Sequence, residues 1–197
     1  KEDTSAIAKA WPHLASTDRF LRNAARVAIE SQPVGQWETK VLTATDPQTR
    51  ITGAVALARR GDAKTHGPKL TASLLEMDPA SLTESQLLGW LRAWQLNFIR
   101  LGKPAEGPRE AVVAKLDSLL PSKSADANVE LVTLLVALEA PSVIEKALTL
   151  IENPGPPEIP DWAELITRNE GYGRSIQAML DKYPPLRSIA YAFALRN

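Results

Sequence analysis

The sequence predicts an all-α protein arranged as an α-solenoid, in which antiparallel helix pairs of the HEAT or armadillo type stack side by side. Three observations lead to this prediction. Residues 17–61 contain one motif written twice, first as TDRFLRNAARVAIE and then as TDPQTRITGAVALARRGD. Apolar residues recur at i, i+3, i+4 and i+7, the pattern of helices with one buried face. No segment alternates apolar and polar residues as a half-buried strand does.

Both copies of the motif are predicted to begin a helix at an aspartate. The alignment places Asp18 over Asp46 and Arg22 over Arg50. An aspartate side chain accepts hydrogen bonds from the free amides of the first turn, and a proline in that turn has no amide that needs a partner. We expect the second helix to end at Gly61 in a left-handed conformation.

The inward face of each helix follows from its apolar spacing. In the first copy we expect the inward residues to be Phe20, Ala24, Val27 and Ala28. Matching helix ends at Leu57, Phe98 and Leu138 are 41 and 40 residues apart, near the lower limit of the HEAT period. We therefore expect about four to five repeats. Further helices are predicted near 65–77, 83–101, 112–119, 129–138, 144–151 and 186–195.

The domain is predicted to be a single repeat domain over residues 1–197, with an irregular insertion at about 153–173. Prolines and glycines interrupt the helical pattern there. Because the chain begins at Lys1 and stops within a helical pattern, we interpret it as part of a longer protein. The last predicted helix lacks a partner helix, and its apolar face is expected to let two copies form a dimer.

Composition narrows the range of functions. Lys plus Arg and Asp plus Glu each number 23 in 197 residues, so the formal net charge is zero. Nucleic-acid binders usually show a basic excess or a basic stripe; neither is evident, and we expect no nucleic-acid partner. Without cysteine, this segment holds no disulfide, thiolate metal site or covalent c-type haem. No apolar run approaches the ~20 residues that span a bilayer, so we expect no membrane span.

Motifs for catalysis, cofactor binding or metal ligation do not emerge from the sequence. His13 and His66 lie in separate repeats, with no carboxylate at i+3 or i+4. On the longest predicted helix, Trp94 and Phe98 follow the buried stripe, whereas Trp90 lies off it. Trp90 either packs on the next repeat or lines a groove as an anchor for a partner.

Two further groups of residues are candidates for binding a partner. Irregular insertions on regular scaffolds often carry recognition, and the segment containing Arg168, Glu170 and Tyr172 combines charged and aromatic groups with glycines. A capping turn with a buried Arg–Glu pair is the structural alternative. The second helices of the predicted pairs carry cations among acidic residues, and mixed signs favour a protein partner. The candidate partner-binding residues are Lys69, Trp90, Arg109, Lys115, Arg168, Glu170 and Tyr172.

Four blocks of the chain carry a family resemblance: WPHLASTDRFLRNAARVAIE, LGWLRAWQLNFIRLGKP, LVTLLVALEAPSVIEKALTLIE and DWAELITRNEGYGRSIQAML. Together they resemble the HEAT-like region of large multidomain planctomycete-type haem-binding proteins. In that family the helical region lies between a sugar-dehydrogenase-like β-propeller and a c-type cytochrome domain. The resemblance implies a periplasmic or cell-envelope protein whose haem c and oxidoreductase activity belong to other domains. It transfers no catalytic residue to this segment.

We therefore expect a non-catalytic scaffold that spaces or docks the catalytic and cytochrome domains of a larger exported redox protein. Two alternatives stay open. A HEAT-like-repeat enzyme such as an alkyl-base DNA glycosylase would need a concave basic surface with aromatic residues and a carboxylate. A small-ligand or glycan-binding module would use the insertion at 153–173, and full burial of Trp162 and Tyr172 would exclude it.

Overall fold

A computed structural model describes residues 3–154 and 184–196, and the predicted all-α class is confirmed there. Those residues form helices and connecting turns, with no β-strand among them. The helices are α1 (Thr4–Ala10), α2 (Arg19–Glu30), α3 (Glu38–Leu42), α4 (Pro47–Arg60), α5 (Ala63–Glu76), α6 (Glu84–Leu101), α7 (Glu106–Asp117), α8 (Ala125–Ala137), α9 (Val143–Glu152) and α10 (Leu186–Leu195). Three short 3-10 turns lie at Trp11–Ala15, Val34–Gln36 and Pro79–Ser81.

Helix starts agree with the predicted caps. Asp18 accepts a hydrogen bond from the amide of Phe20 at 2.8 Å, and Asp46 accepts one from the amide of Thr49 at 2.7 Å. Thr83 and the residue three positions later form a reciprocal capping box at the start of α6. These bonds satisfy amides that the first turn of a helix leaves free. Both aspartates of the duplicated motif therefore begin a helix, as predicted.

The predicted left-handed end at Gly61 is wrong. The α4 helix does end there, but φ of Gly61 is −72°, which other residues adopt as well. Glycine is needed here because there is no room for a side chain. A Cβ at Gly61 would lie 2.7 Å from the main-chain oxygen of Leu57 and 3.0 Å from Cβ of His66. Among the glycines in the described part of the chain, Gly102 has a positive φ, of 95°, and it lies directly after α6.

Helices contact mainly those near them in the chain. α2, α4, α6 and α8 contact one another in sequence order, and α10 packs on α8 and α9. α3 contacts α4 and α5, while α5 contacts α4, α6 and α7. The N-terminal helix α1 and the turn Trp11–Ala15 pack against α2. The buried core contains three fully enclosed tryptophans, Trp37, Trp90 and Trp94.

The predicted inward face of α2 is wrong at three of its four residues, and Ala28 is the one that packs partly buried against the core. The Phe20 side chain is 71% exposed and that of Val27 is 49% exposed, and Ala24 is exposed as well. Ala25 and Ile29 are the buried residues of this helix. Apolar residues on α2 form two stripes, and the preceding segment and α4 cover the one that contains Ala25 and Ile29. The other stripe is left facing solvent.

None of the helices in the described part of the chain is both long enough and apolar enough to cross a membrane. The predicted insertion at 153–173 lies outside the described residues, apart from its first two positions. The predicted helix at 186–195 is present with the same bounds.

Candidate functional site

The predicted anchor Trp90 packs inside the protein. Its side chain is fully buried, and its indole N–H donates to the main-chain oxygen of Leu74 at 3.2 Å. Its ring meets that of Trp94 edge to face, with centroids 5.9 Å apart. Of the two roles predicted for Trp90, it therefore has the packing role, and it presents no side-chain surface to a partner.

Three predicted cations make contacts between helices at three separate places. Nζ of Lys115 donates to the main-chain oxygen of Leu75 at 2.7 Å. Nε of Arg109 donates to the main-chain oxygen of Leu138 at 2.9 Å. Lys69 lies on α5, with Nζ 3.6 Å from a carboxylate oxygen of Glu38 on α3. Each cation therefore links its own helix to a neighbouring segment, and the fold does not gather them into one binding surface.

The remaining predicted site residues, Arg168, Glu170 and Tyr172, lie outside the described residues, as does Trp162.

His66 lies on α5 and is half-buried against α3. Its Nδ1 accepts from the amide of Asp62 at 2.8 Å, and its Nε2 lies 3.0 Å from Glu38. Across the described ranges, no three His, Asp or Glu side chains come together as a metal site would need.

A different surface gathers positive charge. We name it the arginine groove, an open cavity of about 260 Å³ between α2, α4 and α6. Four of its lining residues are arginines, and no carboxylate lines it. The lining residues are Arg19, Arg22, Asn23, Arg26, Gln48, Ile51, Thr52, Val55, Ser85, Gly89 and Arg92.

The groove lies at the N-terminal ends of three helices. Its lining residues come from the first eight or nine residues of each: 19–26 in α2, 48–55 in α4 and 85–92 in α6. On α2 and α4 they are spaced i, i+3, i+4 and i+7, so one face of each helix is used. A helix N-terminus carries about half a unit of positive charge. The carboxylates of Asp18 and Asp46 cap α2 and α4 and offset this charge there, so the positive potential of the groove comes from its arginines.

Most of this charge is not neutralised within the described chain. Arg26 is ion-paired with Glu30, which also contacts Arg59. Among the described residues, neither Arg19, Arg22 nor Arg92 has a carboxylate within 4.0 Å.

The three unpaired arginines make uncharged contacts instead. Arg22 donates to the main-chain oxygen of Ser16, and Arg92 donates to Gln95 Oε1 at 2.9 Å. The guanidinium of Arg19 stacks over the ring of Phe20 at 4.7 Å from its centroid. These contacts orient the side chains without cancelling their charge.

An exposed apolar surface lies beside the groove on the same helix. We name it the Phe20–Val27 strip, and it consists of Phe20, Ala24 and Val27. Successive residues of a helix are about 100° apart, so Phe20 lies next to the face that carries Arg19. A ligand held by the arginines would meet this strip without leaving α2.

Comparison of the chain with known protein families, characterised proteins and solved structures found no match. The function of the groove is therefore inferred from its chemistry. Guanidinium groups bind carboxylates and phosphates through two parallel hydrogen bonds. An open, multiply charged groove beside apolar side chains suits the binding of an extended anionic surface rather than one small molecule.

The expectation that the chain has no basic stripe is wrong. Arg19, Arg22 and Arg26 occur at i, i+3 and i+7, a spacing that already places them on one helical face. The zero net charge of the whole chain concealed this local excess. Arg92 is different, since it is 66 residues beyond Arg26 and joins the groove only through the packing of α4 between α2 and α6.

Proposed function

We propose that this chain is a non-catalytic interaction module, an α-solenoid of HEAT-like helix pairs that binds a protein partner. The observation that carries the proposal is the arginine groove, because three helices from successive pairs supply one open, charged surface. A surface shared among repeats is how solenoid proteins usually bind their partners.

Repeated contacts support the solenoid arrangement. At the start of each motif copy, the arginine four residues after the capping aspartate donates to a main-chain oxygen before its helix. Arg22 reaches Ser16, and Arg50 reaches Leu42 at 2.8 Å. One supersecondary unit used twice would produce such a recurrence.

The carboxyl ends of the second helices show a similar recurrence. At the end of α3, the main-chain oxygen of Leu42 accepts from Ser73 on α5. At the end of α5, Leu75 accepts from Lys115 on α7, and at the end of α7, Asp117 accepts from Lys146 on α9. Each second helix is thus bound by the next one, and stacking of this kind makes each repeat depend on its neighbours alone.

Within the larger protein that the family resemblance implies, the module would space or dock a catalytic domain and a cytochrome domain. A stack of packed helices suits this role, because it holds its two ends at a set separation while exposing a long surface. The DNA glycosylase alternative is weaker. Such an enzyme needs a carboxylate beside the bound base, and no carboxylate lines the groove.

The proposal is tested by calorimetric titration of the chain with each domain encoded beside it, expressed separately. We expect saturable binding to at least one domain, since docking is the proposed role. The absence of heat with both domains at high micromolar concentration would contradict the docking function.

A further inference from the structure

We propose that the arginine groove and the Phe20–Val27 strip together bind one acidic, amphipathic helical segment of a protein partner. The proposal deepens the interaction function above and rests on it. It names the chemistry of the partner and the residues that recognise it.

The groove carries positive charge without a matching negative charge beside it. Arg19, Arg22 and Arg92 have no carboxylate partner among the described residues, and all three line the same groove. Like charges on one surface repel one another, and a bound anion relieves that repulsion. The arginine fork matches a carboxylate with two parallel hydrogen bonds, which the compact ammonium of lysine does not offer. The groove is therefore complementary to several carboxylates held side by side.

The Phe20–Val27 strip beside the groove is exposed and apolar. Phe20 is 71% exposed and Val27 is 49% exposed, and they lie seven residues apart on one face of α2. At 1.5 Å per residue this strip is about 10 Å long, or two helical turns. A partner helix with apolar residues four and seven positions apart would cover it over the same length.

The charge and the side chains of this surface suit a protein segment better than a nucleic acid. Nucleic-acid affinity comes mainly from phosphate contacts and grows with basic charge, but this chain has a formal net charge of zero. Of the three residues of the strip, Ala24 and Val27 are aliphatic, and Phe20 alone offers a flat ring on which a base stacks. These features favour carboxylates accompanied by aliphatic side chains.

The geometry of α2 sets the pattern expected of the partner. Its arginine face and its apolar face are about 100° apart around the helix axis. The matching partner helix carries Glu or Asp on one face and Leu or Ile on the adjacent face. A segment with acidic residues alone would satisfy the groove and leave the strip exposed.

The experiment uses synthetic peptides and the full chain. A fluorescent peptide of about 16 residues, about 24 Å long as a helix, carries Glu on one face and Leu on the next. One control peptide has Ser in place of Leu, and another has Gln in place of Glu. A single-stranded oligonucleotide of the same charge is the polyanion arm. Binding is followed by fluorescence anisotropy at two salt concentrations.

Two pairs of variants locate the site. Arg19→Gln with Arg92→Gln removes two charges from the groove, and Arg60→Gln with Arg100→Gln removes two exposed charges elsewhere on α4 and α6. Phe20→Ser is matched by Ile99→Ser, because both side chains are 71% exposed. We expect the groove pair to weaken peptide binding at least about tenfold and Phe20→Ser to weaken it about fivefold, with little change in the controls.

The proposal fails if the oligonucleotide binds more tightly than the Glu–Leu peptide, or if the groove pair behaves like its control. It also fails if the Ser-for-Leu peptide binds as well as the Glu–Leu peptide. Calorimetry with the flanking domains distinguishes this failure from that of the proposed function. Domain binding that survives Arg19→Gln with Arg92→Gln would keep the interaction module and exclude the groove as its surface.

Discussion

Nζ of Lys115 on α7 lies 2.7 Å from the main-chain oxygen of Leu75 in the last turn of α5, to which it donates a hydrogen bond. The last carbonyls of a helix have no partner within it, and their dipoles favour a cation. The contact joins two helices that are not adjacent in the chain. It therefore ties one predicted repeat to the next.

We expect Lys115→Met to lower the free energy of unfolding by about 1–2 kcal/mol, because the change removes a charged donor and keeps most of the aliphatic stem. Urea denaturation followed by circular dichroism measures the change. Lys103→Met, in the exposed connection after α6, is the matched control and should cost less than about 0.5 kcal/mol. Equal losses in the two variants would show that the bond to Leu75 contributes nothing.

Gly53 allows α3 and α4 to approach closely. A Cβ at this position would lie 2.6 Å and 2.8 Å from the two methyl carbons of Val41, which is itself fully buried. Although alanine is the better helix former, we expect Gly53→Ala to destabilise the chain by about 1–3 kcal/mol, because Val41 is stiff and has no room to move.

The same substitution in an open place is the control. Gly107 lies in the first turn of α7, and nothing comes within 4 Å of a Cβ there. Gly107→Ala should be neutral or stabilise by up to about 1 kcal/mol. Adding Val41→Ala to Gly53→Ala should recover part of the loss, and failure to do so would place the strain elsewhere.

Trp90 is expected to be a residue of the core rather than of a binding surface. Trp90→Phe removes the indole bond to Leu74 and leaves unfilled volume in a fully buried position, so we expect a loss of about 2–4 kcal/mol. Trp11→Phe is the matched control. That ring is half-buried, with Lys40 Nζ 4.2 Å from its centroid, and should cost about 1 kcal/mol. Thermal unfolding measures the loss of stability in each variant. A smaller loss for Trp90→Phe than for Trp11→Phe would contradict the packing role of Trp90.

Asp117 links α7 to α9 and makes this contact depend on pH. Burial raises the pKa of Asp117, but hydrogen bonds from Lys146 and Ser142 and the positive charge of Lys146 together hold the pKa below its ordinary value of 3.8. Folding therefore favours the carboxylate. Its contribution is fully present above pH 3.8 and is lost as the pH falls from there through the lower folded pKa.

We expect Asp117→Asn to be less stable than the parent chain at neutral pH by at most about 1 kcal/mol, since the side chain is partly exposed. The difference should shrink as the pH falls below 3.8. Urea denaturation across this range measures it, with Glu110→Gln on the exposed side of α7 as control. A difference that stays constant with pH would show that the charge of Asp117 plays no part.

The features that the sequence predicts well are local. Asp18, Asp46 and Thr83 each form their cap bond within three residues, so the bond depends on little beyond the neighbouring sequence. The start of the helix at 186–195 also follows from a short-range signal, the two prolines before it. The all-α class follows from apolar spacing repeated along the chain.

Features that depend on contacts between distant segments were not predictable in this way. α2 has two apolar stripes, and the contact with α4 and the preceding segment decides which one is buried. Trp90 was predicted to lie off the stripe of its own helix, but it is buried on one face with Trp94 and Leu101, and α5 supplies the carbonyl of Leu74 that its indole needs. The arginine stripe on α2 was visible in the sequence, whereas the contribution of Arg92 required the position of α6.

The arginine groove also affects how a neutral molecule approaches a charged one. A chain whose formal net charge is zero feels almost no net pull from a distant ion, but its separated charges experience a torque. The arginines of the groove form a positive pole, so an anionic partner turns the groove toward itself before contact. Such rotational steering acts over about one Debye length, roughly 8 Å at physiological ionic strength, and raises the fraction of collisions that are correctly oriented.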